Sequence, residues 1–180
     1  QLSNLNTYYN NFEAINPIEH IKHRLKSPES IAGKLKKKDL PVTADAADEH
    51  LSDIAGIRII CSYAKNIYEI VEIIKSQEAF TVVSEKDYLR NVKKTGYRSY
   101  HMIVEVNLGH LFSEQTCRVE IQLRTSAMDF WATLEHKVRY KYDGQIPEQL
   151  SGELQNCAEQ IHALDERMYL IHKVLDMINQ

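Results

Sequence analysis

The chain of 180 residues is 43% hydrophobic and 26% charged, which suits one globular domain with a sizeable core. A net charge of −3 excludes a generally basic nucleic-acid binder, and three widely spaced cysteines (Cys61, Cys117, Cys157) exclude a disulfide framework or a zinc site and point to a reducing cytosol. No apolar run reaches membrane-spanning length and no signal-peptide pattern opens the chain, so a cytoplasmic protein without a membrane partner is expected.

Leu2 to Ile15 is short, polar and aromatic and reads as the end of a helix that begins upstream. Asn16-Pro17 reads as a cap and a first helical position, predicting a helix to about Leu25. Ser27-Pro28 restarts a second helix, with Ile31 and Leu35 on one side and Lys34 and Lys36 to Lys38 around the rest. Thr43 caps a short helix that ends near Leu51, and Asp53 stands at the mouth of the next element. Gly56 to Tyr63 has the β-branched density of a buried strand, in which Arg58 needs an ion pair or a ligand. Ile67, Ile70, Val71, Ile73 and Ile74 mark Lys65 to Ser76 as an amphipathic helix laid on a sheet. Phe80 to Val83 and Tyr100 to Val106 are the next strands, and Gly109 to Gln115 is a turn region.

Lys86 to His101, KDYLRNVKKTGYRSYH, brings four cations (Lys86, Arg90, Lys93, Lys94) up to Gly96, with Tyr97 directly after it. Clustered cations suit phosphate, glycine permits close backbone approach and an exposed ring suits a nucleobase; a solvated loop would look the same. In the strand Thr116 to Thr125, alternation sends Cys117, Val119, Ile121 and Leu123 one way and Arg118, Glu120, Gln122 and Arg124 the other. The polar row fits a strand with one wet face, or an active-site floor on which Glu120 and Asp53 are a pair of carboxylates, the number Mg²⁺ takes beside substrate phosphates. Ser126 to Tyr142 reads as a helix packed through Met128, Trp131, Leu134 and Val138, with Asp129, Glu135 and His136 off that stripe, and Gly144 to Pro147 ends it. Glu148 to Asn179 carries a stripe through Leu154, Ala158, Ile161, Leu164, Met168, Ile171, Leu175 and Ile178, more than one small core needs, so a subunit contact is expected. The order of elements predicts an α/β (α+β) fold, a mixed sheet flanked by helices.

GYRSYH, with DIAGIRI at Asp53 to Ile59, VEIQLRT at Val119 to Thr125 and FWATLEHKVRYKY at Phe130 to Tyr142, resembles the synthetase domain of the RelA/SpoT-type enzymes, and more narrowly the stand-alone small alarmone synthetases. The resemblance runs from about Pro17 to the C-terminus. It implies one nucleotidyltransferase-like synthetase domain over 1–180: an N-terminal helix remnant (1–16), a catalytic core (17–146) and a C-terminal oligomerisation helix (147–180). The implied reaction moves the terminal pyrophosphate of ATP to the 3′-hydroxyl of GDP or GTP, giving AMP and ppGpp or pppGpp, with Mg²⁺ as cofactor and a closed homotetramer as assembly.

By the same resemblance, the pattern HxxxRxKxxxSIxxK assigns Arg24, Lys26, Ser30 and Lys34 to ATP, with Arg58 on the adenine opposite Arg24. Asp53 and Glu120 fall to the metal and to catalysis, and spacing leaves open whether Glu120 is also the general base. Lys86, Lys93 and His101 fall to the acceptor's 5′-phosphates, Gln122 to its ribose, Tyr97 to its base and Glu135 to the same site. Asp129, where many relatives have Asn, is the candidate reader of the guanine edge. Long relatives add a His-Asp hydrolase domain and regulatory domains, for which this chain has no room, so synthesis without hydrolysis is expected. No stable nucleic-acid partner is expected. The residues by themselves also fit another nucleotidyltransferase acting on RNA, or a non-catalytic nucleotide or RNA sensor.

Overall fold

The computed structural model describes residues 16–107, 116–142 and 146–178. The expected helix remnant before residue 16, the turn region at 109–115 and Gly144 lie outside the described residues. In chain order the elements are β1 (Ile18–Leu25), α1 (Pro28–Lys36), α2 (Ala44–His50), β2 (Ala55–Cys61), α3 (Ala64–Ser76), β3 (Phe80–Asp87), β4 (Tyr100–Asn107), β5 (Thr116–Thr125), α4 (Ser126–Lys141) and α5 (Glu148–Ile178). The five strands form one mixed sheet in the order β1-β2-β5-β4-β3; β2 and β5 are parallel and the other pairs antiparallel.

β1 overturns the helix expected from Asn16-Pro17 to Leu25. Ile18 and Ile21 sit three apart, the spacing of a helix face, yet the segment pairs with β2 through an irregularity between Ile18 and His20. That bulge inserts one residue, so Ile18 opposite Cys61 and Ile21 opposite Ile59 both turn to the core while His20, Lys22 and Arg24 turn away. A bulged strand thus imitates a helical period. Asn16 still works as a cap of a kind, its Oδ1 accepting from the Ile18 N–H at 2.8 Å.

One face of the sheet is apolar. Ile59, Met102, Val104, Ile121 and Leu123 meet Ile67, Ile70, Val71 and Ile74 of α3, all essentially without exposure. Each such side chain contributes about 1.5–3 kcal/mol of burial, which makes this layer the main source of stability. α1 and α2 begin where the caps place them: the Ser27 hydroxyl accepts from Ser30 N and the Thr43 hydroxyl from Ala46 N. Leu35, Ala46, Ala47 and Leu51 close a second small core between them.

The third core joins α4, α5 and the loop before β4. Trp131, Ala132 and Ala158 are buried together, with Tyr97 and Ile161 packed against them, and Trp131 Nε1 donates to Leu154 O at 3.0 Å. Here the expected α4 stripe shifts: Leu134 and Val138 are each 43% exposed, because α5 approaches over the small Ala132 instead. Gly96 seats the loop. Its φ is +85° and a Cβ on it would lie 2.5 Å from that of Ala158. Beyond Ile161 the predicted stripe of α5 faces outward, with Leu164, Met168, Ile171, Leu175 and Ile178 between 52% and 71% exposed.

The two kinds of glycine make a test. Gly96→Ala is expected to lower the melting temperature by several degrees, since left-handed backbone alone costs about 1–2 kcal/mol and Ala158 must also yield. Gly152→Ala, inside α5 with open space around it, is expected to raise it, a gain of about 0.5–1 kcal/mol. Thermal denaturation of both variants checks the pair; equal shifts would remove the argument.

Candidate active site

The second face of the sheet is where charge collects. Register places Arg24 across from Gly56, Gly56 across from Glu120, Arg58 across from Gln122, and Gln122 across from His101. A pocket of about 200 Å³ opens among Lys22, Arg24, Gly56, Arg58, Glu120 and Gln122. Gly56 brings no side chain between Arg24 and Glu120, and a Cβ there would already sit 3.6 Å from Arg24 Cγ. Of the sequence-predicted ATP residues, Arg24 and Arg58 line this pocket, and Arg24 arrives on a strand rather than on a helix.

Asp53 lies just ahead of β2, reached from two directions. Lys26 Nζ at 2.5 Å and Lys34 Nζ at 2.7 Å both meet its Oδ2. Burial pushes this carboxyl up, but the hydrogen bonds and charges of the two lysines outweigh it and hold the group below its ordinary value. Oδ1 of Asp53 is buried and has no hydrogen-bond partner. Ser30, one of the predicted ATP residues, sits exposed on α1, its hydroxyl 3.1 Å from that of Ser27.

Glu120 accepts on both oxygens, from His101 Nδ1 at 3.2 Å and from Gln122 Nε2 at 2.9 Å. The His101 hydrogen bond chiefly lowers its pKa, against burial and the nearby charge of Asp53. The two carboxylates are thus close enough to feel one another. Among the described residues no cluster of three or more His, Cys, Asp or Glu could hold a metal. Mg²⁺ asks for less, one or two carboxylates plus phosphate and water, and an orphaned buried carboxylate oxygen beside a second ionised carboxylate fits that ion.

Around Tyr97 the acceptor set expected from the sequence is largely assembled. Its hydroxyl lies 2.8 Å from His101 Nε2, and its ring is within cation–π range of Lys93 Nζ (4.7 Å) and Arg124 Cζ (5.1 Å). Tyr88 stands edge-on to His101. Lys86 lies in β3 directly across from His101, because β3 runs to Asp87 rather than stopping at Val83. Asp129, in the first turn of α4, takes Arg58 Nη1 at 3.1 Å and Arg124 Nη1 at 3.0 Å on the same oxygen. Glu135 pairs with Arg139 one turn along α4, and among the described residues no hydrogen bond or ion pair joins it to the Tyr97 group. Arg124, which carried no role in the sequence reading, is the connecting residue. A cation at the buried end of a strand was the available signal.

Paired carboxylates set among cations, beside an aromatic loop, belong to the class of enzymes that move phosphate-bearing groups between nucleotides. The pattern of the region found in RelA / SpoT proteins matches residues 23–145. GTP pyrophosphokinase YwaC of Bacillus subtilis (strain 168) is 46% identical over 168 residues, covering 93% of this chain and 80% of that protein. The crystal structure of small alarmone synthetase 1 from Bacillus subtilis bound to its product pppGpp superposes with a TM-score of 0.89 at 38% identity, covering 97% of this chain and 89% of that one. The same synthetase bound to AMPCPP gives a TM-score of 0.80 at 35% identity, covering 98% and 89%. The chain belongs to the RelA/SpoT family, among its small alarmone synthetases.

Asp129 is the counter-charge for two guanidiniums, one of them buried. Asp129→Ala is expected to destabilise the fold by roughly 3 kcal/mol, whereas Arg139→Ala, which breaks a more exposed pair on the same helix, should cost less than about 1 kcal/mol. Urea unfolding of both variants checks this, and similar midpoints would refute it.

Proposed function

We propose that this protein transfers the terminal pyrophosphate of ATP to the 3′-hydroxyl of GDP or GTP, forming ppGpp or pppGpp and releasing AMP. The observation that carries the reading is the pair Asp53 and Glu120, two carboxylates held ionised on a face otherwise lined with cations. They stand between two groups of residues, Arg24, Lys26, Lys34 and Arg58 on one side and Lys86, Lys93, Tyr97 and His101 on the other. Two nucleotides need two such grips. The synthetase from Bacillus subtilis is known with both pppGpp and AMPCPP, which supports the same pairing here.

The reaction forms a bond from the acceptor's 3′-oxygen to the β-phosphorus as its O–H bond breaks and the proton passes to a base, and it breaks the bond from that phosphorus to the bridging oxygen, which leaves with AMP. Arg24 on β1 and Arg58 on the neighbouring β2, two residues apart in register, clamp the adenine, while Lys26, Lys34 and Ser30 hold the phosphates. Mg²⁺ held by Asp53 and Glu120 would neutralise charge on the transferring group. On the acceptor side Tyr97 stacks on guanine and Asp129 reads its edge, with Gln122 at the ribose; Glu135, paired with Arg139, is left outside this group. Lys93 is exposed, and its contact with the Tyr97 ring is worth only about 0.5–1 kcal/mol, so its ammonium gains by moving to a 5′-phosphate beside Lys86 and His101. Fixed placement of both nucleotides supplies most of the acceleration, because this chemistry asks little else of a protein.

The outer face of α5 is the proposed assembly surface, joining four copies into a closed homotetramer that works in the cytoplasm. Among the described residues no helix is long and apolar enough to cross a membrane.

Incubation with ATP, GDP and Mg²⁺ tests the reaction: AMP should appear in step with a guanosine carrying a 3′-pyrophosphate. Extension of labelled RNA would replace this reading with an RNA nucleotidyltransferase, and tight binding without product with a sensor. Glu120→Gln should keep the melting temperature and lose on the order of a hundredfold or more in rate. For the assembly, light scattering coupled to size exclusion is expected to give four chains; a strict monomer at micromolar concentration would rule the tetramer out.

A further inference from the structure

We propose that Arg124 is a positioning residue that sets the direction of the two hydrogen bonds reaching Glu120 and fixes the Tyr97 ring, an inference that rests on reading Tyr97 as part of the acceptor site. A guanidinium can only donate. Arg124, 5% exposed at the end of β5, donates through Nη2 to the Tyr97 hydroxyl at 2.6 Å and to Gln122 Oε1 at 3.2 Å. Through Nη1 it reaches Asp129, and Nε lies 3.4 Å from the Ser99 hydroxyl, which itself donates to Leu123 O.

Two chains of hydrogen bonds leave that one nitrogen, and both end on Glu120. In the first, the Tyr97 oxygen accepts from Arg124, so its proton turns to His101 Nε2 at 2.8 Å. The imidazole then carries its own proton on Nδ1, facing Glu120 Oε1 at 3.2 Å. In the second, the amide oxygen of Gln122 is drawn to Arg124, so the amide nitrogen points at Glu120 Oε2, 2.9 Å away. Tyrosine, neutral histidine and glutamine can each face either way. A donor-only group at the head of both chains removes that freedom, and the carboxylate is met by two donors.

Stability does not explain the residue. Asp129 keeps Arg58 at 3.1 Å if Arg124 is removed, so no carboxylate is left unpaired, and the two guanidiniums repel each other as they stand. What loses its anchor is the Tyr97 hydroxyl and the Gln122 amide, two groups of the acceptor side. Of the ATP residues, Arg58 meets Arg124 only through their shared oxygen of Asp129, and among the described residues no hydrogen bond or ion pair joins Arg24, Lys26 or Lys34 to Arg124.

The test uses full-length Arg124→Met, Arg124→Lys, Tyr97→Phe and Tyr97→Ala, with initial rates measured against GDP at saturating ATP and against ATP at saturating GDP. Arg124→Met should melt within a few degrees of the unmodified protein and lose about tenfold to a hundredfold in kcat/KM for GDP, with KM for ATP changed less than about threefold. Arg124→Lys should recover part of the loss, since an ammonium donates but cannot span both chains. Arg124→Met combined with Tyr97→Phe should lose less than the product of the single losses, because the two act on one chain. Equal loss toward both substrates in step with a lowered melting temperature, or losses that simply multiply, would overturn the proposal while leaving the acceptor site standing. An unchanged KM for GDP in Tyr97→Ala would overturn the acceptor reading, and the proposal with it.

Discussion

The parallel pairing of β2 with β5 is the constraint on which the rest depends. It sets Gly56 beside Glu120 and Arg58 beside Gln122 while Ile59 meets Leu123 on the reverse side. Strand period is two, so a slip of one residue would send the charged row into the α3 core and the isoleucines into the groove. A parallel pair also requires a long crossover. Here the crossover is α3, β3, the Tyr88–Ser99 loop and β4, so the connection that permits the pairing also delivers Tyr97 and His101 to the same face. Topology and site are one solution.

That face solves a problem of charge. The chain carries a net −3, yet Arg24, Lys26, Lys34, Arg58, Lys86, Lys93 and Arg124 gather around three carboxylates. Two of those, Asp53 and Asp129, each touch two cations, which leaves the groove with an excess of positive charge suited to drawing in phosphate. Burial alone would push both Asp53 and Glu120 toward protonation; Lys26 and Lys34 oppose it at Asp53, and the hydrogen bonds from His101 and Gln122 oppose it at Glu120.

Sequence patterning showed most of this where local chemistry agreed with tertiary packing. The alternation of Thr116 to Thr125, the helix restart at Ser27-Pro28, the cap at Thr43 and the stripe of α3 all lie where the sequence puts them. It misled at β1, where a bulge places two isoleucines three residues apart on one face of a strand and so reproduces a helical signature. It misled on α4 for a related reason, because Met128, Trp131 and Ala132 satisfy the same 3–4 spacing as Leu134 and Val138, and only the approach of α5 decides which line is buried. Of the candidate site residues, Asp53 was visible at the mouth of a buried strand, Glu120 on the polar face of an alternating one and Tyr97 directly after a glycine. Arg124 was visible only as one more polar position in an alternating strand, since its partners are divided among the loop before β4, β5 itself and the first turn of α4.

The long helix α5 gains a second meaning from these contacts. Its inner side holds the loop before β4 through Ala158 against Gly96, takes the Trp131 indole on Leu154 O, and receives the Thr125 hydroxyl on Asp165 at 2.6 Å. Thr125 is the residue after Arg124 and also caps α4, so the helix braces the end of β5 from which that guanidinium extends. Farther along, Tyr169 and His172 pack on Tyr63 at the start of α3. The outer side of the same helix is the exposed apolar stripe. A helix is only about 10–12 Å across, and its hydrogen-bonded backbone does not deform to suit one side alone. Assembly through the outer face would therefore set the stiffness of the inner one, and the placing of Tyr97 would depend on quaternary contacts that never touch the nucleotide.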